Sequence, residues 1–272
     1  PHLQFQGGIR GKIMRDRILH QLQQLEKTEG ITILHAVESG SRAWGFPSPD
    51  SDYDVRFIYI RSCEAYLRLE KRRDVLELPI DVDISGWDLD KALRLLHGSN
   101  PTLFEWCQSP IAYKTTPLFQ SFLPTIHAYF ADKSGLWHYL STAEGNYREY
   151  LKGERVRVKK YFYVIRPLLA CRWILENHTP PPMRFTDLAD TQLEPALRPV
   201  VRELLRIKMA APEVEEMPRI DALNTFIEDN LPRLRARIEA LPRENPPDWA
   251  PLNALFLSAV YSAGKPTIKA RS

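Results

Sequence analysis

The sequence predicts an α+β protein in which a small sheet flanked by helices is followed by an all-helical region. Three observations carry this expectation. Strand-length apolar runs alternate with helical patterns over about the first 110 residues. From about Leu136 onward only helical periodicity remains. Proline-rich breaks, TPPPM at 179–183 and PRENPPDWAP at 242–251, then divide that second part. The expected organisation is a catalytic domain over residues 14–115 and a helical domain over 116–272.

Taken in order, residues 15–27 place Ile18, Leu22 and Leu25 at helical spacing, and Glu29-Gly30 ends that helix. The leading PHLQFQGG reads as an appended, non-native stretch, with Met14 as the native start. ITILHAVES is β-branched and of strand length, and SGSRAWGFPSPDS has the composition of an ordered loop. DYDVRFIYI reads as a buried strand, and LPIDVDIS as another. Asp88 is placed to N-cap the helix DLDKALRLLH, with Gly98 as its stop, and Asn100-Pro101 opens the helix PTLFEWCQ. Helical patterns follow at 136–177, where Pro167 is expected to kink or restart the helix, and at 194–210 and 218–241. LNALFLSAVYS reads as a last short helix, followed by the basic tail AGKPTIKARS.

Composition excludes several classes. Hydrophobic residues at 44% and charged residues at 26% describe a globular chain, not a disordered one. No apolar run approaches the ~20 residues that span a bilayer, so no membrane partner is expected. Cys63, Cys107 and Cys171 are odd in number and widely spaced, which fits a reducing cytoplasm better than a disulfide framework or a zinc knuckle. The net charge of +3 permits phosphate-rich partners without requiring them.

The chemistry concentrates in one segment. Gly40-Ser41 forms a turn, ten residues follow, and then Asp52 and Asp54 open an apolar strand. Side chains at i and i+2 of a strand share a face, and two such carboxylates repel unless a cation lies between them. Mg²⁺ suits such oxygen ligands and commonly shares its shell with substrate phosphates. Gly40 admits close approach of backbone N–H groups to an anion, and Ser41 adds a hydroxyl donor. An isolated Asp-x-Asp is more often a solvated pair; the combination with Gly-Ser is far more specific.

This pattern resembles the signature of the DNA polymerase beta nucleotidyltransferase superfamily. More narrowly, GSRAWGFPSPDSDYDVRFIY, DISGWDLDKALRLL, NPTLFEWCQSPIAY and KKYFYVIRPLLACRWI resemble the RlaP-type nucleotidyltransferases linked to bacterial RNA repair. The resemblance implies a polymerase-beta-like palm with a mixed sheet. It also implies a third carboxylate on a neighbouring strand. Asp81 and Asp83 are both available, and the family-like block beginning Asp-Ile-x-Gly-Trp-Asp selects Asp83, with Asp81 as the fallback. Asp88 reads as a helix cap.

The implied reaction is transfer of a nucleotide from an NTP to an acceptor hydroxyl, with an RNA end as acceptor. Asp52, Asp54 and Asp83 would hold two Mg²⁺ ions, with Mn²⁺ as an alternative, and Asp83 would also take the hydroxyl proton. Gly40, Ser41 and Arg42 would steady the phosphates. In ERVRVKKYFYVIRP, Lys159, Tyr163 and Arg166 fall on one helical face with Lys160 one step round. The superfamily often sends a lysine from its helical region to the triphosphate, which assigns Lys159 or Lys160 that role; the plain alternative is a solvated stripe. Arg155 and Arg157 would extend the patch toward RNA. Two rival readings are nucleotidylation of a protein or small molecule, and a silent NTP-binding scaffold.

Other residues carry less. Trp87 and Trp106 read as core, whereas Trp44 borders the site and could stack a base. The histidines show no metal-ligand spacing. Glu38 ends its strand either behind the site or in solvent.

Overall fold

The structure, a computed structural model, describes residues 9–79, 82–210, 216–245 and 247–263. The leading PHLQFQGG, Asp81 and the tail from residue 264 lie outside the described residues. The first half runs α1 (Ile9–Glu29), β1 (Ile31–Glu38), α2 (Gly40–Trp44), β2 (Asp54–Arg61), α3 (Cys63–Leu67), β3 (Val75–Pro79), β4 (Asp83–Asp88), α4 (Leu89–His97), α5 (Pro101–Cys107), β5 (Ala112–Thr115) and α6 (Pro117–Ala128). The second runs α7 (Asp132–Tyr150), β6 (Arg155–Arg157), α8 (Val158–Asn177), α9 (Phe185–Gln192), α10 (Arg198–Ala210), β7 (Glu216–Pro218), α11 (Asp221–Glu239) and α12 (Ala250–Ala263). Among the described residues no helix is long and apolar enough to cross a membrane.

The sheet has five strands in the order β3-β4-β2-β1-β5. It is mixed: β2 and β4 are parallel, and the remaining pairs are antiparallel. Each face buries its own core. On one, Val55, Phe57, Tyr59 and Ile84 pack with Ile18, Leu22 and Leu25 of α1. On the other, Ile58 and Ile60 pack with Leu93 and Leu96 of α4, Phe104 of α5, and Phe119 and Phe122 of α6. The alternation in β2 dictates this division, because successive side chains point to opposite faces. In β1 a bulge between Ile33 and His35 shifts the register. It puts Ile33 and Ala36 on the α1 face while Leu34 and Val37 reach the other.

Several expectations shift. The loop at 40–44 is a short helix, and β2 starts at Asp54, so Asp52 lies just ahead of the strand. LPIDVDIS is not one strand: β3 ends at Pro79, β4 starts at Asp83, and the two pair antiparallel as a hairpin. Asp83 thus opens a strand instead of sitting inside one. Helix α8 continues through Pro167, which is buried within it; the break comes earlier, between Tyr150 and Arg155. The helical region also contains a two-stranded ribbon of β6 and β7.

The cores do not follow a boundary at residue 115. Helix α6, and the distant α12 through Leu252, Leu255, Ala259 and Val260, belong to the core of the sheet. Phe46, from the loop after α2, belongs instead to the helical core, against Phe162 and Phe185. Apolar contacts assign these segments, since burying each such side chain stabilises by roughly 1.5–3 kcal/mol.

Candidate active site

The strand ends place the carboxylates. In the parallel pairing of β2 with β4, Asp54 lies directly opposite Asp83. Arg56, two residues on and therefore on the same face as Asp54, reaches across. Its Nη2 donates to Asp83 Oδ2 at 2.7 Å, and its Nη1 donates to the Asp83 carbonyl at 3.0 Å. The same Nη2 lies 3.8 Å from Asp54 Oδ1. A guanidinium thus occupies the cation position between two carboxylates that would otherwise repel. Asp83 keeps 56% of its side chain exposed, so it stays accessible to a substrate. The sequence reading missed Arg56, although its spacing from Asp54 marks the shared face.

Gly40 fits against Asp54 for a steric reason. Its φ is +60°, and a Cβ built there would lie 2.2 Å from Asp54 Oδ2. Only glycine lets the backbone turn this close to the carboxylate. The Ser39 N–H donates to the Asp54 carbonyl at 2.8 Å and locks the two segments together. Ser41 is buried just inside α2.

Beneath them lies Glu38, which the sequence left between two placements. It is fully buried. Its Oε1 accepts the Asp54 N–H at 2.9 Å, and its Oε2 accepts the Tyr113 hydroxyl in a short hydrogen bond. Burial pushes its carboxyl above the ordinary carboxylate range, and the Asp54 charge adds to that while the two hydrogen bonds oppose it. Glu38 fixes the start of β2 from behind.

Asp52 is exposed, yet its backbone is held. Arg42 Nε donates to the Asp52 carbonyl at 3.0 Å and Nη2 to the Ser51 carbonyl at 2.7 Å, while its guanidinium lies 3.8 Å from the Tyr53 ring centre. Arg42 therefore commits two of its donors to the loop that carries Asp52. The buried Ser48 Oγ donates to the Lys208 carbonyl at 2.9 Å and anchors the same loop to α10.

The helical side meets the site through Trp44. Tyr163 approaches Trp44 edge-on, with ring centres 5.5 Å apart. The Arg166 guanidinium lies 4.7 Å from the Trp44 ring, but Arg166 is buried and ion-paired with Glu105 at 2.9 Å. It joins the two halves of the molecule from inside. Lys160 lies 3.3 Å over the Tyr150 ring and 5.3 Å from Tyr163. Burial, and then the neighbouring Lys159, lower its pKa. Lys159 is half-buried in the same turn. Arg155 and Arg157 are exposed on the β6 ribbon.

Asp88, at the other end of β4, caps α4 by accepting the Asp90 N–H at 3.2 Å, and it also accepts the Tyr66 hydroxyl at 2.7 Å. Trp87 and Trp106 pack against each other in the core, their rings tilted by 36° with centres 4.1 Å apart. Among the described residues no group of three or more His, Cys, Asp or Glu side chains is arranged to hold a metal ion. Asp54 and Asp83 are instead a pair of oxygen donors on adjacent strands, with Asp52 one loop residue away from the strand start.

A mixed sheet that offers paired carboxylates beside a glycine turn, with helices behind it, defines a polymerase-beta-like protein. The chain belongs to the RNA repair pathway DNA polymerase beta family (RlaP), whose family model matches residues 14–258. It is similar to a Bacillus subtilis (strain 168) protein described as "Uncharacterized protein YcgL". The two are 43% identical over 256 residues, which cover 93% of this chain and 98% of the relative.

Proposed function

We propose that the protein transfers a nucleoside monophosphate from an NTP to an acceptor hydroxyl, that the acceptor is an RNA end, and that the reaction requires Mg²⁺. The observation that carries this reading is the register of Asp54 against Asp83, with Gly40 pressed against the Asp54 carboxylate. The family's link to RNA repair favours RNA as the acceptor.

The donor set fits magnesium as it binds beside a nucleotide, with one or two carboxylates and the remaining positions left to phosphates and water. Asp52 and Asp54 would hold the ion that accompanies the triphosphate, and Asp54 with Asp83 a second one. When bound, Mg²⁺ neutralises phosphate charge and makes the acceptor hydroxyl more acidic. The residues of the chain do the rest. Arg56 keeps Asp83 aligned with Asp54 before substrate arrives. Gly40 and Ser41 offer backbone and hydroxyl donors to the phosphates beside Asp54. Lys159 and Lys160 approach the triphosphate from α8, and Tyr163 and Trp44 fix the position of that helix against α2. As the acceptor oxygen attacks the α-phosphorus, Asp83 takes its proton. The bond from that phosphorus to the bridging oxygen breaks, and pyrophosphate leaves.

The test supplies each NTP, labelled at the α- or at the γ-phosphate, with Mg²⁺ and total RNA, to wild type and to Asp52→Asn. Label from the α-position alone should enter RNA, and Asp52→Asn should abolish it. Label entering protein would overturn the acceptor. Label from the γ-position would replace nucleotidyl transfer with phosphoryl transfer. No transfer to any acceptor would leave a nucleotide-binding scaffold.

A further inference from the structure

We propose that the outer edge of the sheet, from Asp83 along β3 to the loop at 67–74, is the track on which an RNA strand lies. As the acceptor's track, it rests on the nucleotidyl-transfer reading above. A groove of about 1030 Å³ runs along this edge. Asp83 lines one end, Leu76 and Leu78 line the floor, and Arg61, Arg72 and Arg73 line the other end. The candidate carboxylate and a cluster of arginines thus border the same groove.

The loop beyond it carries Arg68, Lys71, Arg72 and Arg73 against Glu70 and Asp74. Two of these charges are already engaged: Arg72 pairs with Asp90 at 2.5 Å, and Asp74 with Lys91 at 3.2 Å. Arg68, Lys71 and Arg73 are exposed, and none of their side chains has an ion pair among the described residues. Arg73 lines the groove and Arg68 and Lys71 stand in the loop that continues from it; three cations with no ion pair among the described residues are an electrostatic footprint for a phosphate backbone. Leu67 and Leu69, 76% and 100% exposed, give the same loop apolar surface that an unstacked base can cover.

The charge pattern also gives a direction. Asp83 closes the groove at the end away from the loop, with Glu77 midway along β3, whereas Glu29 lies at the arginine end, because Ile31, two residues on, pairs with Arg61. The Asp83 end repels phosphates and suits the terminal hydroxyl, whereas the arginine end holds the phosphates that follow. Val75 pairs with Trp87 and Pro79 with Asp83. The track therefore spans five strand residues, roughly 16 Å at ~3.3 Å each. At about 3.4 Å per stacked nucleotide, it seats about five nucleotides.

The experiment measures binding of a fluorescent single-stranded RNA of twelve nucleotides across a range of salt, for wild type and R68A/K71A/R73A. Because these side chains are exposed and unpaired, the variant should fold as wild type does, which circular dichroism checks. The variant should bind roughly tenfold more weakly, and its slope of log affinity against log salt should be shallower by about 2, since three phosphate contacts are lost at ~0.7 each. With a three-nucleotide RNA at the same salt, the two proteins should bind alike. Equal affinity and slope for the longer RNA overturn the track, whether both proteins bind it or neither does; a loop that docks a protein instead gives this result. RNA binding that depends on the loop, in a wild type that transfers no nucleotide, sinks the transfer reading and leaves an RNA track standing.

Discussion

At the scale of single residues, the site is set by two groups behind Asp54. Gly40 supplies the missing side chain, and Glu38 supplies the buried anchor. Glu38 has a consequence for stability that can be measured. Burial raises its pKa in the folded state above its ordinary value of 4.5. The native state then binds more protons than the unfolded state, so stability contributed at this residue falls as pH rises above about 4.5. Glu38→Gln removes the titration while keeping an oxygen for the Asp54 N–H. The stability of the variant relative to wild type should therefore improve steadily as urea melts are repeated from pH 4 upward. A difference that stays flat with pH would mean Glu38 does not titrate in the fold. The residue reading of the sequence picked out Gly40, Asp52 and Asp54 because they belong to one short local pattern, whereas Asp83 was chosen over Asp81 only through the family resemblance. It left Glu38 undecided and missed Arg56, whose roles depend on a partner 75 or 27 residues away.

At the scale of elements, pattern and cap chemistry made α4, α5 and the first two strands legible. Asp88 and Asn100 each accept an N–H from the first turn of their helix, as their residue types favour. The division between β3 and β4 was not legible, because the end of one and the start of the other both fall within LPIDVDIS, which reads as a single strand. The ribbon of β6 and β7 joins three-residue strands about sixty residues apart, too short for any alternation to show. The final helix was recognised, but its partner was not. Its apolar face could cover either half, and only the packing assigns α12 to the sheet. Leu252 is 1% exposed in that core. Leu252→Ala should cost about 2–5 kcal/mol in a denaturant titration, the range for emptying a buried leucine site. A loss well below 1 kcal/mol would show that α12 is not part of the sheet's core.

At the scale of the whole molecule, two cores meet along α2 and the loop that follows it. Phe46 inserts into the helical core, Trp44 lies between Tyr163 and Arg166, and Arg166 bridges to Glu105 on α5. Asp52 and Asp54 are therefore positioned by both halves. The central claim is that the aligned carboxylates of β2 and β4 perform nucleotidyl transfer. The most direct measurement compares α-label transfer to RNA with Mg²⁺ for wild type, Asp54→Asn, Asp83→Asn and Asp88→Asn. Asp88 stands on the same strand as Asp83 but serves as a helix cap, a role asparagine also fills. Asp54→Asn and Asp83→Asn should each lower transfer by more than ~100-fold, because even the loss of an outer partner at a metal site costs about 10–100-fold. Asp88→Asn should stay within a few-fold of wild type. Transfer that survives in Asp83→Asn, or that falls equally in all three variants, would contradict the account.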